Sequence, residues 1–200
     1  MSTTKKVAEA STRERMIQAG LELLLERGYH GLGTQELLTR ARAPKGSFYH
    51  HFADKQDFAL QVVDAYMAGV HQVLDLCVDN EALAPLDRIR AFFNTVRTGY
   101  LQDGYLGCLL GGLGQELSGT DPVFATRIGE CLGYIGSRLA ECVAAAQESG
   151  DLDPDLDPVT FAGRLVDCWE GAALRSRLIR SEEPLMPMVE FCLAAGAPRG

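Results

Sequence analysis

Apolar residues recur every three or four positions through most of the chain, and no segment alternates with the period of two that marks a half-buried strand. Ser11 with Glu14 forms a capping box, and Ile17, Leu21, Leu24 and Leu25 then share one helical face up to about Arg27, where Gly28 suits a C-cap. Thr34 is a good N-cap for a short helix with Leu37, Leu38 and Ala41 on its apolar side. That helix is expected to stop near Arg42, because the residue before Pro44 is pushed out of the α region. Pro44 fits the first turn of a second short helix, Lys45 to Phe52, in which Phe48 and Phe52 lie four apart and point inward. Asp54 caps a long helix from Lys55 to about Cys77, striped by Phe58, Val62, Val63, Tyr66, Val70 and Leu74. A further helix runs from Pro85 to before Gly104, with Leu86, Ile89, Phe92, Phe93, Val96 and Tyr100 inward. Between Gly104 and Leu117 five glycines interrupt a short apolar helix. Asp121-Pro122, Asp157-Pro158 and Glu183-Pro184 open three more, reaching about Gln147, Arg180 and Ala195. The pattern predicts an all-α chain of about nine helices.

The stretch from Thr34 to Phe52 organises the rest. It places two short helices at an angle, the second with Lys45, Ser47, Tyr49, His50 and His51 outward, which is the helix-turn-helix plan for the DNA major groove. Gly28-Tyr29-His30-Gly31 lies ahead of it and Ala53-Asp54-Lys55-Gln56-Asp57-Phe58 behind. With these flanks, residues 10–60 resemble the DNA-binding domain of TetR-family regulators. The run Pro44-Lys-Gly-Ser-Phe-Tyr-His-His-Phe52, followed by Lys55, is close to the family's signature. Arg42 departs from the pattern, since many members carry Gly at that turn, and a positive φ there would strain an arginine. The resemblance implies that Lys45, Gly46, Ser47, Tyr49 and His50 meet bases and phosphates, while Thr34, Gln35, His51 and Lys55 clamp the backbone. The residue chemistry agrees: Lys reaches a guanine edge, Ser and His bond bases, and Gly46 permits close approach. Helix starts at Thr34 and Pro44 favour phosphate, and Arg13 on the first helix is a further phosphate contact. Against this, His50 and His51 also fit an ordinary surface, and Tyr49 fits partial core.

Composition adds the second domain. Two hundred residues at 46% hydrophobic content suffice for one or two small domains with their own cores. The expected division is an arm and helix-turn-helix domain over 1–54 and an effector-binding and dimerisation domain over 55–200. The net charge of −8 hides an asymmetry: residues 1–60 hold nine Lys/Arg against seven Asp/Glu, whereas 61–200 hold ten against twenty. All four lysines (5, 6, 45 and 55) fall in the basic head, as phosphate binding requires. Residues 1–10 read as a flexible arm in which Lys5 and Lys6 are solvated or touch DNA. No apolar run nears the ~18 residues of a membrane span, and no secretory segment follows the N-terminus, so a cytoplasmic protein without a membrane partner is expected. The cysteines at 77, 108, 131, 142, 168 and 192 are widely spaced, without a CxxC pair, which argues against a zinc site and a disulfide framework. No metal and no cofactor are expected.

In the family, regulators release DNA when a small molecule enters the helical body, and the resemblance therefore implies an effector pocket. Tyr100, Tyr105, Cys108, Gln115, Phe124, Arg127, Tyr134, Phe161 and Trp169 are candidates, each of which also fits plain core packing. Cys108 starts the glycine-rich helix, where backbone N–H groups are expected to lower a thiol pKa, although a lone buried cysteine is commonly an inert small hydrophobe. Gly107 to Glu116 also resembles the NemR-like and AcuR-like branch, whose members respond to electrophiles or acrylate-type compounds. No lysine follows residue 55, so an arginine or a helix end would have to activate the thiol. The family's two C-terminal helices form a four-helix dimer interface, for which Leu165, Trp169, Ala172, Leu178 and Phe191 are candidates, with intramolecular core as their other role.

These readings converge on a homodimeric, sequence-specific repressor that binds double-stranded operator DNA and is released by a small-molecule or electrophilic effector through a tilt of the long helix after Asp54. Two rivals remain at this stage. One is a helical protein-interaction module. The other is an enzyme with a glycine-rich site at 107–114, although no strand precedes that loop, no lysine follows it, and no catalytic Ser, His and Asp pattern is present.

Overall fold

The computed structural model describes residues 10–198, so the arm with Lys5 and Lys6 lies outside the described residues. Among them the chain forms nine helices and no strand: α1 Thr12–Arg27, α2 Thr34–Arg40, α3 Phe48–His51, α4 Lys55–Val78, α5 Pro85–Gln102, α6 Leu109–Leu117, α7 Pro122–Glu148, α8 Pro158–Ile179 and α9 Leu185–Ala195. No helix of the described residues is long and apolar enough to cross a membrane. The chain separates into two compact units, one ending at Ala65 and the other starting at Tyr66, within α4.

In the first unit the capping box on α1 is present: the Glu14 N–H donates to Ser11 Oγ at 3.2 Å and the Ser11 N–H to the Glu14 carboxylate at 2.7 Å. The buried face of α1 is Met16, Ala19, Gly20, Leu23, Leu24 and Leu25, while Ile17 and Leu21 are only half-buried. The stripe is thus rotated from the predicted one. The cause is Gly20, which counts as no hydrophobe in a pattern but faces Phe58 so closely that a Cβ would come within 2.4 Å of the ring. Charged pairs tie α1 to α2: Arg40 reaches both oxygens of Glu26 at 2.7 and 3.1 Å, and Arg27 reaches Glu36 at 2.6 Å.

α2 begins one residue earlier than expected. Gly33 is the N-cap, and Thr34 is the first helical residue with no side-chain capping bond. Its C-terminus is a Schellman motif, in which the Ala43 N–H donates to the Leu38 carbonyl (2.9 Å) and the Arg42 N–H to Thr39 (3.2 Å). Arg42 sits at φ 50°, in the left-handed region that the turn demands and that strains a residue with a Cβ. α3 is shorter than the predicted Lys45–Phe52. Gly46 at φ 86° cannot lie in a right-handed helix, so Pro44 to Ser47 form a turn in which the Ser47 N–H and hydroxyl both donate to the Pro44 carbonyl. Asp54 and Asp57 cap α4 reciprocally, the Asp57 N–H donating to Asp54 and the Ala53 N–H to Asp57.

In the second unit the caps at Asp121 and Asp157 form as predicted, Asp121 accepting the N–H groups of Val123 and Phe124 and Asp157 the N–H and hydroxyl of Thr160. Glu183 makes no such bond, and Pro184 is itself the N-cap of α9. α6 runs unbroken through its glycines. The irregular backbone lies before it, where Gly104, Tyr105 and Gly107 all have positive φ. Arg180 and Arg177 of α8 and its C-cap hold this loop through the carbonyls of Gly104 and Leu106, both at 3.0 Å. Arg138 of α7 joins α4 by ion pairs to Asp75 (2.9 Å) and Asp79 (2.6 Å).

Gly20→Ala is expected to destabilise the chain by about 1–3 kcal/mol, because the fully buried Phe58 ring has nowhere to retreat. Urea denaturation of the variant checks this, and an unchanged midpoint would show that the α1–α4 contact yields.

Candidate nucleic-acid interface and ligand cavity

One turn of helix, α3, carries the candidate DNA-facing surface of the first unit. Phe48 and Phe52 are 3% and 2% exposed and lock into an aromatic cluster with Phe58 of α4, at centroid distances of 5.4 and 4.7 Å. The inward pair leaves the other side of the turn uncovered: Lys45, Gly46, His50 and His51 are exposed and Tyr49 is 73% exposed, which removes partial core as its role. Ser47 and Thr34 are half-buried, and Gln35 is exposed. Lys55 lies beside this face with its ammonium 4.6 Å from the centre of the Tyr29 ring. Arg13 is engaged within the unit, bonded to Gln61 and stacked over Phe52. Gly46 shapes the turn through its positive φ, and no helix starts at Pro44.

The second unit holds a small cavity. Its apolar wall includes Val70, Phe93, Val96, Ile135 and Val166, and its polar groups are Tyr66, Tyr100, Cys108, Trp169 and Glu170. Its room is about 30 Å³, enough for roughly two waters, so a ligand of more than a few heavy atoms enters only if side chains move. The polar groups lie close together. Trp169 Nε1–H donates to the Tyr100 hydroxyl at 3.3 Å. The Tyr66 hydroxyl lies 3.8 Å from Cys108 Sγ, and Glu170 lines the same cavity.

Burial dominates the titration of these groups. The Cys108 thiol is pushed up to about 12, by desolvation first and by the Glu170 charge second, against a smaller opposing effect of the Gly111 N–H. This corrects the expectation that the start of α6 lowers it. Desolvation likewise raises Glu170 above the ordinary carboxylate range, partly offset by the neighbouring Cys108 thiol, and drives Tyr66 and Tyr100 well up.

Of the predicted effector residues, the structure brings Tyr100, Cys108 and Trp169 together at this cavity. The others lie elsewhere. Tyr105 is in the positive-φ loop, Gln115 is exposed, and Phe124 is fully buried core. Arg127 pairs with Glu130, Tyr134 stacks on His71 at 4.5 Å, and Phe161 packs where Gly196 approaches it. Tyr66 and Glu170 were missed. Tyr66 was read only as part of a stripe, but Glu170 had a signal: it is a lone acid among Trp169, Gly171, Ala172 and Ala173. Of the predicted interface residues, Leu165, Trp169 and Ala172 are buried inside a single chain and serve its own core, while Leu178 and Phe191 are 73% and 75% exposed. Six free cysteines are present, and among the described residues no cluster of three His, Cys, Asp or Glu is placed to hold a metal.

An anchored turn of helix with a bare polar face, joined in one chain to a helical unit with a small cavity, fits a DNA-binding transcriptional regulator, and the comparisons with known proteins show that class. Residues 16–62 match the model for bacterial regulatory proteins of the tetR family, and residues 85–190 match that for the tetracyclin repressor-like C-terminal domain. The chain belongs to the TetR family of transcriptional regulators, which is not a family of enzymes. It is 39% identical over 173 residues to the transcriptional regulator AcuR of Cereibacter sphaeroides, covering 86% of this chain and 79% of that protein. It is 31% identical over 181 residues to the transcriptional repressor NemR of Escherichia coli (strain K12), covering 90% and 91%. Among solved structures, a regulatory protein TetR from Rhodobacter sphaeroides superposes with a TM-score of 0.89 at 36% identity, covering 94% of this chain and 100% of that one.

Glu170 carries a pH signature of its own. An acid whose folded pKa is raised favours the fold below its unfolded pKa and loses that contribution as pH rises through the folded value. Glu170→Gln is therefore expected to raise the melting temperature at pH 8, with the gain shrinking as pH falls toward the ordinary carboxylate range near 4.5. Thermal melts of both proteins across pH test this, and a variant less stable at pH 8 would contradict it.

Proposed function

We propose that the protein is a cytoplasmic, homodimeric repressor that binds operator DNA through α3 and its preceding turn and releases it when the cavity of the second unit is occupied. The observation that carries this reading is the uncovered face of Lys45, Tyr49, His50 and His51 opposite the Phe48–Phe52 anchor. Lys45, Gly46, Ser47, Tyr49 and His50 meet bases and phosphates, and Thr34, Gln35, His51 and Lys55 hold the backbone. NemR of Escherichia coli and DhaR of Mycobacterium sp. are named repressors, which supports repression here. Two copies are needed because one helix-turn-helix reads one half-site, and half-sites lie about one DNA turn apart. Exposed Leu178 and Phe191 on α8 and α9 make the contact between copies. The signal is a small molecule in the cavity or modification of Cys108, and α4, which carries both Phe58 and Tyr66, transmits it by tilting.

A duplex-binding titration with DNA from around the protein's own gene, or from a random-sequence selection, tests the reading. Lys45→Ala is expected to weaken binding across sequences and to lower the salt slope by about one, and Tyr49→Ala to weaken it without loss of stability. Salt-insensitive binding unaffected by either change would leave a protein-interaction module as the better account. Phe191→Glu is expected to yield monomers by light scattering and to lose operator affinity together with the dimer. A dimer that survives this charge would place the interface elsewhere.

A further inference from the structure

Glu170 is the one acid lining the cavity of the second unit, and no lysine, arginine or histidine lines it. The other titratable groups there are Tyr66 from α4, Tyr100 from α5 and Cys108 at the N-cap of α6, while α7 contributes Ile135. Burial drives both tyrosines well up and the thiol to about 12, so all three are neutral near pH 7. Burial also raises Glu170, which means that its charge costs stability where it stands. A cost of this kind persists where function needs the group. The backbone makes room for it: a Cβ on Gly111 would lie 2.1 Å from Glu170 Oε2, so the carboxylate fills space that a side chain at that position would take. Five of the twelve lining residues are aromatic. Trp169 lies against Phe93 and Tyr100, with ring centroids 4.7 and 5.9 Å apart, and Tyr66 and Phe92 are the other two.

We infer that the cavity is a site for a small organic cation, a short alkylammonium, held by the Glu170 carboxylate together with the rings of Tyr66, Tyr100 and Trp169. This rests on the reading that the cavity receives the effector and names the class of that effector. An aromatic ring attracts a cation through its electron-rich face, most strongly where water is excluded. A carboxylate in the same poorly solvated space adds a full opposite charge, so an entering ammonium relieves the cost of burying the acid while the acid replaces the hydration that the ammonium gives up. A neutral ligand gains only from the apolar wall, and a carboxylate meets like charge with no cation to offset it. Size follows from the room of about 30 Å³: an ammonium on a short chain needs little side-chain movement, and a bulky quaternary ion needs a great deal. Because the ionised acid is the binding form, affinity weakens as pH falls and Glu170 takes up its proton.

The chain has a single tryptophan, Trp169, so intrinsic tryptophan fluorescence reports on this cavity. Full-length protein is titrated at pH 8 and constant ionic strength with propylammonium, propionamide and propionate, three probes of similar size and different charge. Propylammonium is expected to give a saturable change at concentrations about tenfold below those that propionamide needs, and propionate to give none. Glu170→Gln is expected to bind propylammonium and propionamide alike. Gly111→Ala, whose methyl group displaces the carboxylate, is expected to weaken propylammonium in the same way. The comparison of the three probes on the wild type stands even if both variants fold poorly. Propionamide or propionate binding as well as propylammonium, or no saturable response to propylammonium, overturns the inference. So does a preference for propylammonium that Glu170→Gln leaves intact. A band shift with a duplex recovered by random-sequence selection, with and without saturating propylammonium, separates this inference from the proposed function. Propylammonium that fills the cavity and leaves the duplex bound keeps the cation site and removes cavity occupancy as the release signal.

Discussion

A helix of four residues cannot hold itself in place, because one turn fixes several backbone dihedrals for almost no internal hydrogen bonding. α3 exists because Phe48 and Phe52 are seated against Phe58, and α4 exists at that spot because Asp54 and Asp57 cap its start. Everything that faces outward on α3 follows from this anchor. With Phe48 in the turn and Phe52 at its C-cap committed to one side, and Gly46 turning the chain just before, Tyr49, His50 and His51 are left on the open side. The close approach of Gly20 to Phe58 belongs to the same constraint, since it lets α1 lie against the ring that the recognition turn depends on.

The second unit poses the opposite problem. Trp169, Tyr100, Tyr66, Cys108 and Glu170 are set among apolar side chains, where an unpaired polar group is costly. Trp169 is bonded to Tyr100, and the Tyr66 hydroxyl lies 3.8 Å from the Cys108 sulfur. A ligand entering such a space must either join these contacts or break them. This gives the cavity chemical selectivity beyond size and makes its occupancy a change that neighbouring helices feel.

Much of this was legible in the residues, for identifiable reasons. Capping boxes and Asp-Pro starts rest on local chemistry, so α1, α4, α7 and α8 begin where the pattern put them. Glycine misled the reading in both directions. At Gly46 it delayed a helix that was expected to start at Lys45, at Gly111 and its neighbours it left intact a helix that was expected to break, and at Gly20 it marked a close contact of α1 with Phe58. Periodicity reports which positions are apolar but not which helix they meet, so Phe124 and Phe161 looked as much like cavity residues as Tyr100 and Trp169 did. Cys108 was found as a cavity residue but Glu170 was not, because it is distant in sequence and only the fold brings the two to one cavity.

The most direct test of the central claim is a selection of bound duplexes from a random-sequence pool with the purified protein, followed by sequencing. A dimeric helix-turn-helix regulator is expected to enrich an inverted repeat whose half-sites are centred about 10 base pairs apart or a multiple of that, and Lys45→Ala is expected to erode the enrichment. Enrichment of no motif, at salt concentrations where the protein stays folded, would contradict the account.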